Sequence, residues 1–339
     1  MSFYKLFISI AFLSFCSCDG IKQNVYRVNN QSYTIVSDSV YSSMPGNMFY
    51  QDGLIYWEDA RGYEDIIHVV NVQRGKEIAS FGDIGQGPEE FLDQEISLSP
   101  NGGLFLNDVE KPLEMLCRFS SENGSFQSFV SKYPNDRYAT KLLHLDDERM
   151  LYLCPKQDKL FHIYSNDTLS VTFGDCPIID EFNNSYDIFQ GKIGYNPHQN
   201  LLIYSTIGFP YIAVYRNQGM ENWMKVSEIK HNWDYTVSGG DLCFSSSVKH
   251  GTWEMALTED YIVLLQRDVD VEGNMDRDLE GRNMTTVPRS LFLYDYNLNL
   301  KKIINMPFRM LRLCGDIETN TVYAMAINPE FELIKIDLE

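Results

Sequence analysis

The chain is poor in long hydrophobic runs. Apart from a short apolar stretch at residues 6–13, nothing approaches the ~18 consecutive apolar residues that a spanning helix needs. Long amphipathic helical patterns are also missing, which argues against a helical bundle. Basic residues are scarce: 28 Lys+Arg stand against 47 Asp+Glu, a formal net charge of −19. This balance argues against binding nucleic acid or anionic headgroups through a broad basic face. Seven cysteines occur, none in a CxxC pair, so the usual structural zinc spacings are absent. HExxH, GxSxG and GxxxxGK[ST] are absent too, and the six histidines are dispersed. His68 and His162 fall in strand-like runs and read as ordinary sheet residues.

The N-terminus carries an address. Lys5 supplies a positive region, Leu6 to Leu13 an apolar core, and Ser14-Phe15-Cys16-Ser17-Cys18-Asp19 follows. A small residue directly before a cysteine at this place resembles the lipobox of bacterial lipoproteins. The resemblance implies cleavage before Cys18 and lipid on that residue, with Ser17 favouring Cys18 over Cys16. Two or three acyl chains would hold the protein stably at a membrane. The resulting expectation is a signal peptide at 1–17, a lipidated cysteine and flexible tether at 18–30, and one folded domain at 31–339. Removing residues 1–17 takes away one lysine and leaves a charge of −20. The remaining Cys117, Cys154, Cys176, Cys243 and Cys314 are scattered, several inside apolar runs where cysteine serves as a small hydrophobe. One disulfide is compatible with export, and its pairing stays open.

Short runs rich in Val, Ile, Tyr and Phe recur, separated by Gly, Asn, Asp and Pro, as strands are. They group in fours. The first group is Asn47–Tyr50, Leu54–Glu58, Ile66–Val72 and Glu77–Phe81; comparable groups begin at Glu95, Thr140, Lys192 and Trp253. The last, from Met310, has only three strands. Tyr33–Asp38 is an orphan strand that would complete it. A period of ~50 residues repeated six times, with first and last segments able to pair, predicts an all-β fold. The form expected is a six-bladed β-propeller of four-stranded antiparallel blades, closed by an N-terminal strand completing the last blade; a β-sandwich pair or a β-helix is the alternative, but neither calls for an orphan partner strand.

Between Phe81 and Asp108 the chain reads FGDIGQGPEEFLDQEISLSPNGGLFLND. Phe81-Gly82, Gly85, Gly87-Pro88 and Glu90-Phe91 resemble the NHL-type repeat and are similar to the blade junction of TolB-like six-bladed propeller lipoproteins of Gram-negative gut bacteria. Glu89 stands where that repeat has glycine, and the other junctions have lost the signature. Gly85 and Gly87 are expected to adopt angles closed to other residues, Pro88 to fix the exit, and Phe91 to plug the gap between blades.

In such a ring, the loops joining second and third strands open on one face beside the central channel. Blade one offers Glu58, Asp59 and Arg61 there, and blade two offers Asn107, Asp108, Glu110 and Lys111. Lys156 comes from blade three, Phe209 and Tyr211 from blade four, Gln266 and Arg267 from blade five, and Asn328 from blade six. Mixed charges and aromatics at a funnel mouth suit a polar small molecule, a glycan or a peptide. The longest of these loops, Arg267–Pro288, is a candidate lid. Within it Asp268, Asp270 and Glu272, with Gly273 at the sixth position, resemble the start of a calcium loop, but the twelfth position is Leu279. A second insertion spans His231–His250. Asp38-Ser39-Val40 and Asp167-Thr168-Leu169 resemble a short O-glycosylation acceptor motif.

The function expected is a non-enzymatic cell-envelope lipoprotein, anchored at the outer membrane through its lipid alone and facing the periplasm or the surface. It would bind a small-molecule, glycan or protein ligand through the loop face and need no cofactor. The alternative is a calcium-assisted hydrolase or lactonase, with Glu58, Asn107 and Asp108 as first ligands. A rim-mediated scaffold role is a third possibility.

Overall fold

A computed structural model describes residues 25–42, 44–59, 65–120, 125–131, 139–156, 158–219, 221–267 and 287–339. Two short strands come first, β1 (Tyr26–Asn29) and β2 (Thr34–Ser37). Blade one is β3 (Pro45–Gln51), β4 (Leu54–Asp59), β5 (Asp65–Asn71) and β6 (Lys76–Asp83). Blade two is β7 (Gln94–Leu98), β8 (Leu104–Asp108), β9 (Glu114–Ser120) and β10 (Ser125–Ser131). Blade three is β11 (Lys141–His144), β12 (Arg149–Leu153), β13 (Phe161–Ser165) and β14 (Thr168–Phe173). A single helical turn, α1 (Ser185–Ile188), leads into blade four: β15 (Gly191–Asn196), β16 (Leu201–Thr206), β17 (Tyr211–Asn217) and β18 (Trp223–Lys230). A hairpin follows, β19 (Tyr235–Ser238) and β20 (Asp241–Phe244). Blade five is β21 (Glu254–Leu257), β22 (Tyr261–Gln266), β23 (Ser290–Asp295) and β24 (Leu300–Asn305). Blade six has β25 (Arg309–Asp316), β26 (Thr321–Ile327) and β27 (Phe331–Asp337).

The sixth sheet runs β2-β27-β26-β25. Thr34 faces Lys335 and Ile35 faces Ile334, antiparallel, so the orphan strand does complete the last blade. The fold is an all-β six-bladed propeller. The inner strands β3, β7, β11, β15, β21 and β25 neighbour one another in that order around the central channel, and β25 returns to β3. Burial follows from this layout. The second strands β4, β8 and β16 are buried at every position, because both faces of a blade are covered by its neighbours. The outermost strands, such as β6 and β18, are largely exposed.

Three features go beyond the sequence reading. Tyr26–Asn29, inside the stretch read as a tether, pairs in parallel with β24 and gives blade five a fifth strand. The glycines of the Phe81–Asp108 junction act differently from the expectation. Gly82 has the positive φ (91°), whereas Gly85 and Gly87 do not. A Cβ on either of those two would collide with the carboxylate of Glu90, which accepts the Gly87 N–H at 2.7 Å. They are glycines for close approach, not for angle. Phe91 is fully buried between blades one and two, as expected of a plug. The second insertion is the β19–β20 hairpin, whose Phe244, with neighbouring Trp233, packs on Phe209 at 5.0 and 4.7 Å. Ser39 and Thr168 are both exposed. Among the described residues no helix is long and apolar enough to cross a membrane.

Candidate functional site: the central channel

A cavity of about 660 Å³ occupies the channel, lined by the inner strand of every blade. One end lies at the first residues of those strands: Asn47, Glu95, Lys141, Lys192 and Glu254. The other lies at the turns between first and second strands, with Asp52, Asn101, His198 and Glu318. Strand starts carry charge here because successive inner strands converge, and a long polar side chain reaches across to the next blade.

The result is a ring of six charges. Lys141 donates to both carboxylate oxygens of Glu95 at 2.6 and 2.8 Å. Glu254 Oε1 accepts from Lys192 at 2.8 Å and from Arg312 at 3.1 Å. Arg312 also donates through Nε to the Gly46 carbonyl at 2.8 Å. On the other side of Gly46 sits Glu58, 5% exposed. Its carboxylate accepts the Asn47 backbone N–H at 3.0 Å, the Asn47 side chain at 3.2 Å and Gln94 Nε2 at 2.7 Å. A Cβ on Gly46 would collide with that carboxylate, so glycine makes the seat. These donors are all neutral. Burial therefore raises the Glu58 pKa above the ordinary carboxylate value, and the charge of Glu95 adds to it against the hydrogen bonds. Burial pulls Lys141 down, but Glu95, with the charges of Glu58 and Glu254 behind it, turns the net shift up. Lys192 is lowered by burial, with Lys141 and Arg312 adding to the effect against Glu254.

Next to the ring, the face between blades two and three is polar. Ser97 Oγ lies 2.7 Å from His144 Nδ1, and His144 Nε2 lies 3.1 Å from Glu114 Oε2. With Nε2 protonated, Ser97 donates to Nδ1 and Nε2 donates to Glu114. Asn107 Nδ2 donates to the same Glu114 oxygen at 2.8 Å, while buried Asn107 Oδ1 has no partner. Phe105 stacks on the His144 ring at 3.5 Å. Ser97 and His144 both line the cavity.

The sequence-predicted residues fall elsewhere, apart from Glu58 and Asn107. Asp59 accepts from Ser42 at 2.7 Å. Asp108 is fully buried in its turn, accepting the N–H groups of Leu92, Glu110 and Lys111 at 2.7–2.8 Å. Lys111 caps the carbonyls of Gly85, Gly87 and Glu90. Lys156 is exposed and lies 5.4 Å over the Tyr186 ring. Buried Tyr211 donates to Glu228 at 2.9 Å. Gln266 donates to Thr252 at 3.1 Å, and Arg267 is exposed. Arg61, Asp268, Asp270, Glu272 and Cys18 lie outside the described residues. None of the candidates from the second-to-third-strand loops lines the cavity. The ring residues Glu95, Lys141, Lys192, Glu254 and Arg312 escaped the sequence reading. Their signal was a charged residue within the first four positions of five of the six inner strands, β3 being the exception.

Among the described residues no three His, Cys, Asp or Glu side chains group so as to hold a metal. The ring carboxylates come from separate blades and are each taken by N–H donors. The donor set of the ring does not fit calcium, and Asp268, Asp270 and Glu272 lie outside the described residues.

No family model and no curated protein matches the chain. Solved structures do. A protein of Bacteroides fragilis NCTC 9343 described as exported superposes with a TM-score of 0.58 at 11% identity, covering 92% of this chain and 98% of its own. Regucalcin, a calcium-binding protein of Agrobacterium tumefaciens C58, gives 0.51 at 7% identity, covering 92% and 95%. At these identities the likeness establishes the six-bladed fold alone.

Proposed function

We propose that the protein is an exported binding module whose site is the central channel. One observation carries this reading: a cavity of about 660 Å³, of the size that small-molecule sites have, meets a ring of buried and half-buried charges drawn from all six blades, of which Glu95, Lys141, Lys192 and Glu254 line it. Charges drawn from every blade converge only on the axis, so the arrangement suits a polar small molecule or glycan end better than a broad protein partner. The lipobox-like Ser17-Cys18, together with the likeness to an exported protein, supports an envelope lipoprotein related to TolB-like and NHL-type propellers and held at the outer membrane by acylated Cys18. Thermal-shift and calorimetric screening of protein expressed without residues 1–18 tests the binding reading. A panel of sugars, organic acids and peptides should contain stabilising ligands, and Lys141→Gln or Glu95→Gln should weaken them. Ligands unaffected by both changes would place binding elsewhere. Cys18→Ala should release the full chain from membranes; an acylated, membrane-bound variant would overturn the anchor.

Hydrolysis is the second reading, and the Ser97–His144–Glu114 relay is the observation in its favour. Labelling of Ser97 by a fluorophosphonate, lost in His144→Gln, would support it.

A further inference from the structure

The ring divides unequally. On the wall of blades four to six, Lys192 and Arg312 share one carboxylate, Glu254, and leave one net positive charge. Among blades one to three, Glu95 pairs with Lys141, and Glu58, set behind Gly46, adds a second carboxylate, which leaves one net negative charge. Lys192 is only 17% exposed and lines the cavity, and Glu254 takes one of its three N–H donors. An uncompensated charge held away from water is costly, so each wall favours a counter-charge.

Resting on the channel-binding reading, we propose that the cavity takes a small organic monoanion through its carboxylate, seated on Lys192, and that one proton is taken up with it. Glu58 is the proton acceptor. It is buried and held by neutral donors, and a ring with protonated Glu58 carries one net positive charge, which a monoanion cancels. The groups facing Glu58 among the described residues are Asn47 on β3, Gln94 and Glu95 on β7, Lys141 on β11 and, through Gly46, Arg312 on β25. A 180° turn of the Gln94 amide presents its oxygen to the new O–H. The raised affinity of Glu58 for protons agrees with this, and its sign makes binding tighter as pH falls toward the ordinary carboxylate range.

The probes are glucuronate, lactate and glucose 6-phosphate, with glucose as the neutral match. Calorimetry at pH 6 in two buffers of different ionisation enthalpy reads affinity and proton uptake together. A carboxylate probe should bind at least tenfold tighter than glucose with close to one proton taken up. Lys192→Gln should lose that preference and Lys192→Arg keep it, which separates charge from folding. Glu58→Gln should retain binding and release the proton linkage. Glucose binding as well as glucuronate would overturn the anion site and leave the channel reading standing. Tighter binding of the phosphate would overturn the carboxylate assignment, proton-free binding the role of Glu58, and no binding of either carboxylate the whole proposal.

Discussion

Two neighbouring seams of the same ring are built on opposite terms. Between blades three and four, Phe161 meets Tyr204 and Tyr215 edge-on at 5.6 and 5.2 Å, and Phe173 stacks on Trp223 at 5.2 Å. Leu143, Leu151 and Leu202 fill the spaces, and the hairpin β19–β20 extends the cluster outward. Between blades two and three, the polar contacts are Lys141–Glu95, Ser97–His144–Glu114 and Ser99–Asp147–Arg118, with one ring, Phe105, stacked on His144. The apolar cluster on that side, Leu142, Met150, Tyr152 and Cys154, comes from blade three alone. Apolar packing is non-directional and tolerates small shifts. A hydrogen-bonded seam fixes geometry and is costly when one member is missing. The contrast teaches a division of labour: the aromatic seam holds the ring, and the polar seam places charges and a histidine at the cavity wall.

The comparison breaks most visibly on the aromatic side. Phe161→Ala removes a fully buried ring and should cost about 3–5 kcal/mol, read as a fall in the urea midpoint at unchanged slope. An effect under about 1 kcal/mol would show that the seam can collapse around the gap. On the polar side, Ser97→Ala should cost about 1–3 kcal/mol by leaving a buried His144 nitrogen unpaired. The double change Ser97→Ala with His144→Phe should cost less than the two single changes together, a coupling of about 0.5–1.5 kcal/mol.

The strands were legible because alternation and turn residues are local: Leu54–Asp59 and Leu201–Thr206 sit where their patterns placed them. Closure by Thr34–Ser37 was legible because a set of three strands lacked a fourth. The ring was not. Its pairs join residues such as Lys192 and Glu254, 62 positions apart, whose meeting depends on the angle between blades. A lysine opening a strand looks like any strand end. Loop residues drew attention instead, and Asp108 and Lys111 proved to be bound into the junction beside Gly85 and Gly87. Tyr26–Asn29 was missed because four mixed residues next to a polar stretch carry no periodicity to read.

Acid sharpens the contrast further. Burial alone would raise Asp147, but hydrogen bonds from Asn101 and Ser99 and the charge of Arg118 hold it below its ordinary 3.8. Its contribution is present above that value and is lost as pH falls through the lowered one. Hydrogen exchange at pH 3 should therefore quicken in β7 and β11 before β15 and β16. The smallest effect is expected from Arg118→Ala, about 0–1 kcal/mol, since that pair with Asp147 is exposed on both sides. A larger loss would mean that the polar seam is cooperative out to its rim.

The pairing of Thr34 with Lys335 also sets a clock. These partners lie about 300 positions apart, so the segment synthesised first must wait for the segment synthesised last. Until then five blades stand with an unsealed edge, and β1 on β24 is the one attachment the N-terminal segment can make. A chain cut short near its end therefore loses more than a strand: it never latches.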